Sequence, residues 1–528
     1  MEGCPLLSLP SEILCGVIRF LPPIYIARFR AVCTQIKDNI DHSPELKRLI
    51  ELGIKGYQPS RYFSGCWSEE IHERFLESQR RLLTMTPIST ETHSLPARSM
   101  AYDDGLQGCC PSGLFVPPGN SGNIDLIDIM PYRSHSVAKP ITWSQEYGRS
   151  TGTPIGYGLS PREGLMVVVY FHESDQGMEM EAQFQALSPT SHDITPHPRI
   201  IGAESISTRL TRTALGLPSA MVDICGDDVI IKLNLNRGGQ ETLWIISWVS
   251  GITHLVMDPI YDARFLGPGK VLIVSPSECV QLSLLYLGKN LESLRFALPI
   301  PVSVASGFTL VTSPAARYNA ATQEPFERHS LAWEFDCHLD ICALRLRVDG
   351  YSQEALYLIV MRVQSFEAFR RQGNSGEGLI SWDAWGPQST RWFEISGPSP
   401  GFTIYGSQLY WDLPRGVART LFGSPPHPES FVEAYNIRSV AILDFNPRNM
   451  TLAFGTDQSA QWRLCRDTWE DENHLLTRMV TCSLPFVIYE VPQAGWSRAM
   501  AHEGSYIVDI LGTNAQQTLR VRSFVPPL

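Results

Sequence analysis

Lysine is scarce in this chain. Seven occur in 528 residues (Lys37, Lys47, Lys55, Lys139, Lys232, Lys270 and Lys289), and none lies in the last 239. Arginine remains common there, so the chain keeps its cations but loses the acceptors for lysine-directed modification. A basic stripe is also missing. Net charge is −11; residues 1–90 are near neutral and the remainder carries −12. Nothing here would hold a phosphate backbone or an anionic lipid surface, which argues against nucleic acid and membrane as main partners. Twelve cysteines contain no CxxC pair and no Cys/His cluster at zinc spacing. The close pairs Cys109–Cys110 and Cys337…Cys342 read as reduced thiols, and no metal or cofactor is expected. Long apolar runs are absent too. Leu6–Leu21 is interrupted by Pro10, Glu12 and Arg19, and "GLMVVVYF" is strand-length. The expected location is cytoplasmic or nuclear.

What is present begins with short helices. Pro10 suits a first helical position, with Glu12 in the first turn. Ile13, Leu14, Val17, Ile18 and Leu21 follow at helical spacing, and Pro22-Pro23 end the run. Ile26, Phe29, Val32 and Cys33 mark a second helix; Ile36 and Ile40 mark a third. Ser43-Pro44-Glu45 opens a fourth that buries Leu46, Leu49 and Ile50. Such helices are apolar on more than one side, and about 50 residues cannot bury that much alone. One face therefore awaits a cover, either another protein or the rest of this chain. Residues 68–84 predict a further amphipathic helix, capped by Ser68, with Ile71, Phe75, Leu82 and Leu83 as its apolar stripe. It would fix the angle to the rest of the chain, pack on it, or both.

Beyond residue 90 helical periodicity nearly vanishes. Short runs of Val, Ile, Leu, Tyr and Trp alternate with Gly, Pro, Asp and Ser turns. Residues 221–253, 261–287 and 439–468 each read strand–turn–strand–turn–strand, the third resembling a WD-repeat-type blade. Candidate last strands start near 126, 183, 243, 280, 356, 390, 461 and 519, a mean spacing of about 56 residues, long for regular repeats of this type. The fold class is multidomain α+β: small all-α helices at the N-terminus, then a large all-β body. That body is expected to be an irregular β-propeller of six to eight blades; a pair of β-sandwiches is the alternative. The expected division is 1–56 helical domain, 57–95 helical spacer and 96–528 β body. Residues 365–372 ("SFEAFRRQ") read as a short helix in a loop.

The N-terminal residues resemble an F-box. Leu9, Pro10, Glu12, Ile13, Leu14, Ile18, Leu21, Pro22, Ile26, Phe29, Val32 and Cys33 follow that pattern over about residues 6–50. Tyr25 replaces the usual Asp at the second helix start, and Ile36 replaces a common aromatic. The resemblance implies docking on the Skp adaptor of a cullin–RING ubiquitin ligase, with the body recruiting a target protein. Leu9, Pro10, Ile13, Leu14, Leu21, Ile26, Phe29, Val32 and Cys33 would form or support the adaptor face; some must instead hold the helices together. The layout resembles fungal F-box proteins with a degenerate, WD-repeat-like propeller. Its other implication is a scaffold that builds complexes without ubiquitin transfer. Few lysines would suit a receptor held beside a ubiquitin-loading centre; a coding preference for arginine is the simpler reading. Trp382, Trp385, Trp392 and Trp411 are candidate target contacts, though core packing suits them better.

Catalytic patterns are weak. Gly397-Pro398-Ser399-Pro400-Gly401 matches G-x-S-x-G, but prolines flank the serine and strand-like "FTIY" follows it, so it reads as a turn. His192, Asp193 and His197 are separated by Pro196 and read as a loop. Asp227-Asp228 after Gly226 read as turn residues rather than an acid–base pair. No catalytic residues, cofactor-binding residues or enzymatic activity are expected.

Overall fold

Proline sets where the first helices start. The computed structural model describes residues 5–60, 65–95, 114–115, 123–128, 142–146, 152–160, 163–174, 177–187, 195–201, 204–209, 218–234, 241–288, 291–313, 333–349, 354–371, 378–395, 402–414, 438–452, 462–465, 469–470, 481–493, 497–502, 506–513 and 516–524. Helix α1 spans Ser11–Ile18 with Pro10 at its N-cap, one position before the expected first turn. Helix α2 (Pro23–Phe29) takes Pro22 as N-cap and Pro23 as its first residue, where a missing N–H costs nothing. Helix α3 is Thr34–His42. Helix α4 is Pro44–Ile54, and the Ser43 hydroxyl accepts the Leu46 N–H at 3.4 Å. The inward faces share one core of Leu14, Ile18, Ile26, Ile36, Ile40, Leu46, Leu49 and Leu52. Gly53 allows α4 to reach α2: a Cβ there would sit 2.4 Å from Pro23 Cβ.

The end of α4 is fastened to the β body. Its last carbonyls have no intrahelical donors. Arg448 donates to the Gly53 carbonyl at 2.6 Å and to Asp336 at 3.0 Å, and Asn446 donates to the Ile54 carbonyl at 3.1 Å. A guanidinium there also meets the negative end of the helix dipole. Tyr57–Pro59 then pairs antiparallel with Trp333–Phe335, and the Asp336 N–H donates to the Gly56 carbonyl at 2.9 Å. Around this joint the rings of Tyr57, Trp67, Phe75, Trp333 and Phe335 meet edge-to-face at 5.1–6.4 Å. Each such pair adds about 0.5–1.5 kcal/mol beyond its buried area. Gly406, at φ +61°, lies so close to Phe335 that a Cβ would stand 2.2 Å from the ring.

Helix α5 (Glu69–Leu83) is the expected spacer. The Ser68 hydroxyl caps it by accepting from the Ile71 N–H at 3.3 Å. Its first half packs on the helices: the Trp67 indole donates to His72 Nδ1 at 3.3 Å, and His72 Nε2 faces Glu51 at 3.0 Å. Its second half packs on the body, where Leu82 lies with Tyr410, Val440, Ile442, Ile507 and Phe524. The helix therefore packs on both the helical head and the body.

The body contains seven described antiparallel sheets of three or more strands, one of them with an added parallel strand. In chain order, the strands beginning at residues 114, 123 and 142 form one sheet; those at 153, 165, 177 and 205 form the next; those at 219, 228, 241 and 252 the third. Leu379–Ile380 adds in parallel to the four strands of 262–297. The strands at 305, 341, 354 and 390 follow, and then a five-stranded sheet drawn from 402–493. The last sheet joins 497–523 to Ser89–Leu95, which pairs along its whole length with the chain's final strand, Gln516–Ser523. Residues 89–95 thus belong to the body, and the expected boundary at 95 falls at the end of a body strand. First strands of successive sheets touch: 153–160 with 219–225, then 262–267, 305–312, 402–405 and 497–502. Gly156 makes the first of these contacts possible, since a Cβ there would sit 2.1 Å from the Ala220 carbonyl oxygen.

The repeat units at 221–253 and 261–287 fall within single sheets, as their turns imply. The third differs. After strand Arg438–Asp444, Asn446-Pro447 opens a short helix, Pro447–Leu452, rather than a hairpin. The starts near 356 and 390 mark neighbouring strands of one sheet rather than two repeats. The body is also not wholly β: Val363–Arg371 is the expected short helix, and Trp382–Ser389 is an unexpected one.

Two outcomes follow from these contacts. Arg448→Ala leaves the α4 carbonyl and Asp336 without their cation and is expected to cost about 2–4 kcal/mol. Hydrogen exchange should rise in residues 44–59 and stay unchanged in 228–247. His197 carries a pH dependence. Burial beside Trp248 (4.8 Å between rings) pushes its pKa below the ordinary value. Its Nε2 lies 2.8 Å from the Glu163 carbonyl while Nδ1 accepts the Arg199 N–H at 3.2 Å, a pattern that requires neutral imidazole. A lowered folded pKa means stability is full above the unfolded value near 6.5 and is lost as pH falls below it. The thermal midpoint should drop by a few degrees from pH 7.5 to 5.5, and less so in His197→Gln.

Candidate docking surface

Helix α1 carries two apolar stripes. Leu14 and Ile18 point inward and are fully buried, while Ile13 and Val17, one residue earlier on each turn, are 55% and 48% exposed. Phe20, Leu21, Tyr25 and Val32 extend the outer stripe across the α1–α2 corner. These six stand against five other exposed large apolar side chains among the described residues (Ile88, Ile201, Ile252, Leu291 and Leu379), which are spread along the chain. Six exposed apolar side chains within residues 13–32 make this segment the candidate interaction site.

The nine nominated residues separate cleanly. Pro10, Ile13, Leu21 and Val32 are exposed; Leu9, Phe29 and Cys33 are half-buried; Leu14 and Ile26 are interior. Leu14 and Ile26 therefore hold the helices together and do not face a partner. Ile36 is also interior, so its replacement of an aromatic residue removes nothing from the surface. Val17, Phe20 and Tyr25 were not nominated. The signal for Val17 was an apolar residue four positions from Ile13 on a helix already apolar at Leu14 and Ile18.

The other singled-out residues do not assemble a reaction centre. Trp382, Trp385, Trp392 and Trp411 are all at most 2% exposed and pack in the cores of the β body, not against a target. Asp227 pairs with Arg199 at 2.6 Å and Asp228 with His254 at 3.3 Å, so the two carboxylates serve different partners. They follow Gly226, whose φ of +61° makes the expected turn. Asp336, Cys337 and His338 bring ligand atoms within 4.8 Å of one another, but Asp336 already accepts from Arg448 and from the His338 N–H. A cleft of about 370 Å³ lies beside Lys270, Tyr286, Glu292 and Arg370. Its cations are neutralised, Lys270 by Glu367 and Arg370 by Glu292. Gly397–Gly401, His192, Asp193 and the Cys109–Cys110 pair lie outside the described residues.

The match that decides the head of the chain covers this surface. Residues 6–48 are an F-box domain. No curated protein matches the chain. Among solved structures, an uncharacterized protein from Listeria monocytogenes EGD-e overlaps with a TM-score of 0.31 at 8% identity, covering 77% of this chain and 88% of that one. An oligogalacturonate lyase in complex with manganese overlaps with a TM-score of 0.35 at 11% identity, covering 83% and 97%. Neither overlap is close enough to fix the fold of the β body.

The two stripes of α1 should separate in mutagenesis. Leu14→Ala empties an interior site and is expected to cost about 2–5 kcal/mol. Ile13→Ala, one residue away, should change stability by less than about 0.5 kcal/mol. Denaturant unfolding of the full chain, followed by the signal of the helical head, measures both.

Proposed function

We propose that this chain is the substrate-recognition subunit of a Skp–cullin–F-box ubiquitin ligase. In this reading the F-box face of Pro10, Ile13, Leu21 and Val32 binds the Skp adaptor, the cullin follows through it, and the β body holds a target protein. The observation that carries it is the outward apolar face of α1 and α2 on a segment that is an F-box domain. The body is read as an irregular, WD-repeat-like β-propeller of the fungal type. Supporting this are the touching first strands, the seven larger sheets and the pairing of Ser89–Leu95 with the final strand. The reading gives the chain no reaction of its own and places it in the cytoplasm or nucleus.

The lysine pattern accords with this reading, though a coding preference for arginine explains it more simply. Lys232 is 7% exposed at its side chain and lies between Asp262 and Glu241. Lys270 is held by Glu367 at 2.6 Å. A receptor with few free acceptors resists modification by the ligase that carries it.

Co-expression with a Skp-type adaptor tests the reading. The wild-type chain should copurify with it, and Ile13→Asp with Val32→Asp should abolish association while the thermal midpoint stays unchanged. Absent association in the wild type, or full association in the variant, overturns the adaptor role. Adaptor and cullin binding without turnover of any target would favour a non-degradative scaffold.

A further inference from the structure

Two of the open aromatic side chains carry arginines. The Arg19 guanidinium lies 5.0 Å from the centre of the Phe20 ring, and that of Arg28 lies 5.7 Å from the Tyr25 ring. Phe20 is 78% exposed and Tyr25 51%. Both arginines stand on the surface. Arg30, the third cation on this face, is already bound to Asp41 at 2.7 Å. Among the described residues neither Arg19 nor Arg28 has a carboxylate within ion-pair distance; the side-chain contact of Arg19 is with Cys66 Sγ at 3.5 Å. Glu12 is the one acid between residues 10 and 32. Residues 13–32 therefore expose apolar side chains together with two arginines that have no ion-pair carboxylate among the described residues.

We infer that the pairs Phe20–Arg19 and Tyr25–Arg28 are anchors, and that they select a partner whose apolar groove is bordered by carboxylates. The inference rests on the adaptor reading and adds the chemistry of the partner's rim. A guanidinium resting on a ring keeps its N–H groups free for a carboxylate while the ring supplies buried area. The two parts of each pair act on different steps. Uncompensated rim charges speed encounter with an oppositely charged surface and lose their effect in salt. Aromatic anchors act after contact, by slowing dissociation. Tyr25 has a special place here. It stands in the first turn of α2, where its exposed ring carries the Arg28 cation one turn further along the helix.

Stopped-flow binding of the full chain to a purified Skp-type adaptor separates these steps. At about 50 mM NaCl, Arg19→Glu with Arg28→Glu should slow association about tenfold, and the difference should vanish near 500 mM. Phe20→Ala with Tyr25→Ala should leave association nearly unchanged and speed dissociation about tenfold. All four side chains are exposed, and equal thermal midpoints will exclude misfolding as the cause. Association that ignores both salt and the arginine reversal overturns the acidic rim. Dissociation unaltered by the aromatic change overturns the anchors. Failure of the wild-type chain to bind counts against the adaptor role itself, a result separate from either of these.

Discussion

The joint between the helical head and the β body is the constraint on which the rest of the structure depends. At the end of helix α4 the Gly53 carbonyl accepts the local Gly56 N–H at 3.1 Å and also Arg448, and the Ile54 carbonyl accepts Asn446, so two donors reach the helix end from a segment nearly 400 residues away. Arg448 is itself held by Asp336, whose N–H bonds back to Gly56. The backbone of 53–57 is thus bound from two separate parts of the body. Removing either the helix end or the clamp would leave buried polar groups unpaired, which costs more than the bonds themselves contribute.

The aromatic cluster makes this joint apolar as well as polar. Trp333 and Phe335 come from the body, Tyr57 from the strand after α4, and Trp67 and Phe75 from the spacer. The interior of the helical head is therefore continuous with the body rather than a separate core. This resolves the surplus of apolar residues in the first 50. The inward surplus is covered by Tyr57 and Phe75 and by Trp333 and Phe335 of the body. The outward surplus, from Ile13 to Val32, is left open. The same chain answers the covering problem on one side only, and the open side is the one that the F-box assignment concerns.

The helical head was legible because its signals are local. Ser43 and Ser68 cap where they stand, Pro23 opens a helix, and the spacing of Phe75 and Leu82 finds the buried stripe of α5. The division of Leu14 from Ile13 was not legible. Adjacent residues on an apolar helix differ only in angle, and the angle is fixed by packing in the helical core, where α1 lies against α3. In the body, hairpins with Gly turns, such as that at Gly226, could be read directly. The helix at Pro447–Leu452 could not, because Asn-Pro opens a helix as readily as a turn, and its role is tertiary: it presents Arg448 to α4. Ser89–Leu95 reads as spacer in the sequence because its partner strand lies more than 400 residues away. Trp382 and Trp385 were ambiguous for a similar reason: a Gly/Pro-rich neighbourhood suggests a loop, yet both rings are buried with Phe296 and Trp392 by a neighbouring sheet.

The attachment is distributed in a way that limits how the head can move. It is tied at the α4 carbonyls, by the ladder of 57–59 with 333–335, and by α5, which runs directly into the strand pairing with the end of the chain. A single flexible hinge would need these to lie along one line of the backbone, with few contacts on either side. Instead they draw on residues near 335, 446 and 523, in different sheets. Rotating the head requires breaking helix-end hydrogen bonds, an edge-to-face aromatic cluster and the packing of Leu82 together. Partial opening recovers little chain entropy while any one of the three persists, because loop closure gains only slowly with length. The open face of α1 and α2 is therefore carried at a fixed orientation to the β body, so whatever binds each of them is held at a separation that the fold, and not a linker, determines.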